Sequence, residues 1–92
     1  MGVTLNGHLR CATEDEAARV RKALDEHVRL TRAEAGCVSF EVTATDDPLV
    51  WSVAEEFTDA DAFRAHQDRA SRSVWADETR GIARDYTVTG LE

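Results

Sequence analysis

Residues 49–66 run LVWSVAEEFTDADAFRAH, which joins a strand, a helix cap and an amphipathic helix in one stretch. Side chains alternate along a strand, so Trp51, Val53, Glu55 and Phe57 share one face. A carboxylate therefore lies within an otherwise apolar row. Beyond the cap, Phe63, His66 and Ala70 fall at i, i+3 and i+7, one stripe of a helix. A titratable imidazole thus belongs to the stripe expected to face the sheet.

Upstream, residues 37–45, CVSFEVTAT, alternate with Val38, Phe40, Val42 and Ala44 inward, and Asp46-Asp47-Pro48 supplies the turn into the next strand. Residues 3–11, VTLNGHLRC, alternate in the same way, with Gly7 weakening the strand and permitting close approach. Between these strands, Thr13 to Glu16 form a capping box, worth ~1 kcal/mol. The helix it starts is expected to run to about Ala35 on a stripe of Ala17, Val20, Leu24, Val28 and Thr31, with Gly36 as a left-handed cap. Downstream, Thr58 is the expected cap of a helix ending near Arg69 or Ala70. Ser71 or Ser73 caps a short third helix carrying Val74, Trp75 and Thr79, and Gly81 stops it. Residues 84–91 make the last strand.

The order β-α-β-β-α-(α)-β, with right-handed crossovers, predicts an α+β ferredoxin-like fold: one antiparallel sheet with helices on one face. Ninety-two residues make a single domain over 1–92, which buries only ~60–65% of the surface that the unfolded chain exposes. Oligomerisation is a common remedy for so small a core. The open face mixes Thr4, Asn6, His8, Ser39 and Thr43 with Val50 and Ala54, and a homodimer packed sheet against sheet is expected.

An apolar fraction of 42% and a charged fraction of 32% describe a globular chain. The net charge of −7, with no basic stripe, argues against nucleic acid and against an anionic membrane. No apolar run approaches the ~20 residues of a membrane span, and MGVTLNGHLR lacks a signal-peptide layout. A cytoplasmic protein is expected. Cys11 and Cys37 have no zinc-site spacing and are expected as free packing residues. The acids at 14–16, 59 and 61 are caps, so neither a metal site nor a cofactor is expected.

Glu34-Ala35-Gly36-Cys37, Asp47-Pro48, Glu55-Glu56-Phe57 and Ala62-Phe63-Arg64-Ala65-His66 resemble, in order and spacing, the signatures of the antibiotic biosynthesis monooxygenase family of dimeric α+β barrels. Ala35 stands where that family usually has proline, and Phe57 where it has tryptophan. The resemblance implies a sheet-to-sheet dimer with a pocket in each subunit between sheet and helices. It also implies a reaction class: oxygenation of polycyclic phenols or quinols without metal or flavin, or haem degradation. The haem degraders place a tryptophan where His66 stands and need a haem-ligating histidine beyond it, whereas no histidine lies between Gln67 and Glu92. Their pocket asparagine falls near Gly7, and Asn6 belongs to the opposite face. Haem degradation is therefore disfavoured.

His66, with an unperturbed pKa near ~6.5, is the candidate proton acceptor. Removing a phenolic proton yields an electron-rich anion that can reduce O2 directly. The same residue could instead be a core-edge histidine bonded to a carbonyl. Glu55 is costly to bury unpaired, so it either joins an arginine in an ion pair, the expected arrangement, or orients His66. Trp51, Phe63 and Trp75 could stack an aromatic ligand or could be plain core. Tyr86 could hydrogen-bond a substrate oxygen. His8 and Arg10 face the expected dimer side. The function expected is cofactor-independent oxygenation of a small aromatic molecule; the alternative is a non-catalytic ligand-binding or accessory dimer.

Overall fold

A computed structural model describes residues 2–91. The elements are β1 (Val3–Arg10), α1 (Glu14–Arg32), β2 (Cys37–Ala44), β3 (Val50–Phe57), α2 (Ala60–Ser71), α3 (Val74–Glu78) and β4 (Ala83–Thr89). The strands form one open antiparallel sheet in the order β2-β3-β1-β4, and the helices cover one face. This is the predicted ferredoxin-like α+β arrangement, and the sheet does not close on itself.

Period-two patterning builds the covered face in rows across the strands. Phe40, Glu55, Leu5 and Val88 make one row; Val42, Val53, Gly7 and Tyr86 the next; Ala44, Trp51, Leu9 and Arg84 a third. Val3, Leu9, Phe40 and Phe57 are fully buried, and each fully buried large apolar side chain contributes about 1.5–3 kcal/mol. Gly7 fits where nothing larger can, because a Cβ there would lie 2.0 Å from the Asp85 carbonyl oxygen.

Several local expectations are corrected. Val38 was expected inward but is 56% exposed. A β-bulge shifts the register between Cys37 and Ser39, so Cys37 takes the inner position opposite Phe57 and Phe40 regains the alternation. Helix α1 stops at Arg32, and its cap, Ala33, is right-handed rather than followed by a left-handed Gly36. Gly36 is needed for closeness instead: a Cβ on it would fall 2.3 Å from the Ala62 Cβ of α2. Asp59, not Thr58, caps α2, accepting from the Ala62 amide at 2.8 Å; the Thr58 amide donates to the Gly36 carbonyl at 2.9 Å. The Thr13 cap holds as expected, with Glu16 reaching back to the Ala12 amide at 2.7 Å. Ser73 caps α3, and Gly81 ends that connection at φ +85°. No described helix is long and apolar enough to cross a membrane.

Candidate active site

Between the covered face and the helices lies a cavity of about 320 Å3, at the small end of the ~300–1,000 Å3 typical of ligand sites. Leu5, Phe40, Val42, Val53, Glu55 and Tyr86 floor it. His27 from α1, His66 and Ala70 from α2, and Trp75 from α3 roof it. Arg84 lines it from β4.

His66 is 2% exposed, and its ring stacks on Phe57 at 4.9 Å between centroids. Its Nδ1 stands 2.9 Å from Glu34 Oε1, while Glu34 Oε2 accepts from Arg69 Nε at 2.7 Å. A carboxylate paired with a guanidinium can only accept, so the His66 proton sits on Nδ1 and the Nε2 lone pair is free. Nε2 lies 3.9 Å from Glu55 Oε1. Burial pulls the imidazole below its ordinary pKa; the Glu34 carboxylate opposes this, and Arg69 adds a smaller lowering. The ring is therefore neutral at physiological pH and basic at the nitrogen facing Glu55.

Glu55 meets no arginine among the described residues, contrary to the expected ion pair. Its Oε1 is buried without a hydrogen-bond partner. Burial, aided by repulsion from Glu34, raises its pKa to about 7, so the carboxyl keeps its proton below neutral pH and shares it with solvent near neutrality. Sequence position placed Glu55 inward correctly, and Arg69 of α2 pairs with Glu34 instead.

Tyr86 lies half-buried on the cavity floor, where burial raises its phenol to about 12 and keeps it a neutral donor. Trp75 also lines the cavity. Trp51 and Phe63 do not: both belong to the core cluster, Phe63 packing edge-on against Phe57 at 5.8 Å. The Trp51 indole nitrogen is buried without a partner. His8 and Arg10 lie on the opposite sheet face, with Arg10 Nε 2.5 Å from Asp85 Oδ2.

Sequence reasoning missed His27, Glu34 and Arg84. His27 is 4% exposed and stacks on Trp75 at 4.5 Å and 3°. Burial, with His66, Arg69 and Arg84 adding to it, depresses its pKa to about 3, so it is a neutral aromatic wall. The available signal was its spacing of seven from Val20 and four from Thr31. The buried stripe of α1 is Ala17, Val20, Ala23, His27 and Thr31, whereas the expected Leu24 and Val28 are only half-buried. Glu34 was read only as part of a motif, and Arg84 only as an alternating strand residue.

A substrate hydroxyl oxygen ~2.8 Å from both Nε2 and Oε1 would complete a triangle on the 3.9 Å edge between them. There it could give its proton to Nε2 while the protonated Glu55 carboxyl donates to it. Asn6, on the other face, is exposed and takes no part.

The sequence matches the antibiotic biosynthesis monooxygenase family over residues 2–78. None of the curated proteins matches the chain. Among solved structures, Rv0793 from Mycobacterium tuberculosis superposes with a TM-score of 0.77 at 18% identity, covering 100% of this chain and 96% of that one. SnoaB from Streptomyces nogalater, a cofactor-independent oxygenase, gives 0.79 at 15% identity, covering 99% and 93%. PA3566 from Pseudomonas aeruginosa gives 0.72 at 22% identity, covering 95% and 88%. These likenesses are likenesses of fold. The family match, extending from β1 to the end of α3, makes this chain a member of the antibiotic biosynthesis monooxygenase family.

Proposed function

We propose that the protein is a cofactor-independent monooxygenase of small phenolic or quinol substrates, with His66 as proton acceptor and Glu55 as the proton-holding partner. The observation that carries this reading is the free Nε2 of a buried neutral histidine, 3.9 Å from an unpartnered carboxyl oxygen, inside a cavity of substrate size. That SnoaB, a cofactor-independent oxygenase, shares the fold supports it.

In the proposed reaction the substrate hydroxyl gives its proton to His66 Nε2. The resulting anion passes one electron to O2, and the substrate radical and superoxide combine to form a C–O bond. The hydroperoxide takes back the proton and loses water as its carbon becomes a carbonyl. A phenol and one O2 thus become a quinone and one water, with no external electron donor. The protonated Glu55 carboxyl hydrogen-bonds the oxygen that carries the developing charge. Tyr86 and Trp75 orient the ring. Trp51 and Phe63 serve from behind, by fixing β3 and α2.

An oxygen electrode with a panel of hydroquinones and anthrone-like phenols tests this. Uptake above the blank is expected, falling ~100-fold or more in His66→Ala. No uptake with any substrate, or unchanged uptake in His66→Ala, refutes it. Ligands that stabilise the protein but return unaltered would favour the non-catalytic alternative.

We further propose a homodimer through the open sheet face. Thr4, Asn6 and His8 of β1 lie there beside the exposed Ala54 and half-buried Val50 of β3. Light scattering at micromolar concentration should give twice the chain mass, and a monomer mass removes the dimer.

A further inference from the structure

The chain carries 18 acids against 11 lysines and arginines, and almost every cation is spoken for. Within the described residues each stands within 4 Å of a carboxylate oxygen except Arg64 and Arg84. Arg64 lies exposed on the outer side of α2. Arg84 is exposed too, but it differs in lining the cavity. Its sequence neighbour Asp85 cannot neutralise it: strand alternation sends Asp85 to the opposite face, where Arg10 holds it at 2.5 Å.

Arg84 is nonetheless held in place. Its Nη1 donates to the Ile82 carbonyl at 2.9 Å and to the Thr79 carbonyl at 3.4 Å, and its Nη2 donates to the Thr79 hydroxyl at 2.8 Å. All three acceptors are neutral, so the guanidinium is positioned while its charge goes uncompensated. Of the five N–H donors on a guanidinium, these contacts leave one on Nε and one on Nη2, and the Tyr86 phenol oxygen lies close enough to accept from the guanidinium. Two residues along the same strand face, Tyr86 offers a phenolic O–H to the same cavity.

We propose that the cavity takes an aromatic substrate bearing a carboxylate, which Arg84 and Tyr86 bind at the end of the cavity opposite His66 and Glu55. This rests on the oxygenase reading of the same cavity, and it names the class of its substrate. The sheet register sets the spacing. Glu55 and Arg84 lie two strands and four residues apart along β1, which is about 16 Å between Cα atoms at ~4.8 Å per strand and ~3.3 Å per residue. Side chains reach inward from both ends, so the reacting hydroxyl and the carboxylate lie at opposite ends of the ligand. A carboxylate on a preset guanidinium forms charge-assisted hydrogen bonds, the stronger kind. It also pairs the one cavity-lining cation that the fold leaves without a partner, in a protein whose net charge would otherwise repel anions.

The probes are a hydroxynaphthoate with its two groups at opposite ends of the ring system and the matching hydroxynaphthamide, which has nearly the same shape and no charge. Quenching of tryptophan fluorescence reports binding, because Trp75 lines the cavity. The wild-type protein should bind the acid at least about tenfold more tightly than the amide, with the preference shrinking between roughly 50 and 500 mM salt. Arg84→Met should weaken the acid far more than the amide, bringing the acid to within about twofold of the amide; Arg84→Lys should retain part of the preference. Equal binding of acid and amide by the wild type overturns the proposal, as does a preference that survives in Arg84→Met. If Arg84→Met fails to fold, the wild-type acid-to-amide ratio and its salt dependence decide alone, and a salt-insensitive ratio overturns it. Neither readout needs turnover. Acid preference without oxygen uptake from any phenol would remove the oxygenase and keep the anion subsite; uptake without acid preference would do the reverse.

Discussion

Replacing Glu55 by glutamine keeps the side chain's shape and removes its titration, so its effect on stability should depend on pH. In the folded protein the carboxyl titrates at about 7, against an ordinary value of 4.5. Between those values the native state holds a proton that the unfolded chain has released. The stability that Glu55 contributes is therefore fully present below about 4.5 and is lost as pH rises to about 7. The loss runs at about 1.4 kcal/mol per pH unit and totals ~3 kcal/mol. Solvent screening does little to reduce it, since the residue is 9% exposed. The buried histidines work in the opposite direction. His27 titrates at about 3 and His66 lies below its ordinary value, so their contribution to stability grows as pH rises toward ~6.5. They are common to both proteins, and the difference between wild type and Glu55→Gln isolates the carboxyl. Urea unfolding of the two proteins at pH values from about 5 to about 8 measures that difference. At an m-value of about 1.5 kcal/mol per molar urea, the gap between midpoints should move by about 2 M in favour of Glu55→Gln across the range. A gap that stays constant with pH would show that Glu55 carries no held proton, and the proposed donor to the substrate oxygen would go with it.

Two further perturbations probe the histidines. Glu34→Gln leaves an oxygen to accept from His66 Nδ1 but removes the charge that raises the His66 pKa. In the oxygen-uptake assay kcat should fall ~10-fold or more with little change in KM, and the acid limb of the pH–rate profile should move to lower pH. A profile that stays in place would reduce Glu34 to a structural contact. His27→Phe keeps an aromatic ring against Trp75 and removes a buried base that titrates at about 3. Glu55 is common to both proteins, so the difference isolates the imidazole: on acidification below ~6.5 the wild type should lose stability relative to His27→Phe by up to about 1.4 kcal/mol per pH unit. Parallel melting temperatures for the two proteins between about pH 4.5 and 6.5 would refute the assignment.

How much of this was legible in the sequence depended on how local each determinant is. Glu55 and His66 were placed inward by spacing alone, because period two and the three-to-four spacing of a helix are properties of a few consecutive residues. The same rule cannot separate a cavity wall from solid core. Trp51, Phe63 and Trp75 all satisfy it, yet only Trp75 reaches the cavity, because the helices decide what lies over each inward position. The bulge at Val38 escaped because it is defined against β3 and not within β2. His27 escaped because a polar residue on a helical stripe is usually assigned to the wet face, although here it stacks flat on Trp75 and meets Phe40 edge-to-face. The partners of the site lie furthest from view. Glu34 and His66 are 32 residues apart, and Glu34 and Arg69 are 35 apart. Arg69 pairs with Glu34, and the buried Glu55, without an arginine among the described residues and repelled by the Glu34 charge, has its pKa raised to about 7. The acid–base character of the cavity thus depends partly on a charge set 21 residues away in sequence from Glu55, and removing that charge should weaken it. In Glu34→Gln, Glu55 loses a repelling charge as well, so its pKa should move back toward the ordinary carboxylate range.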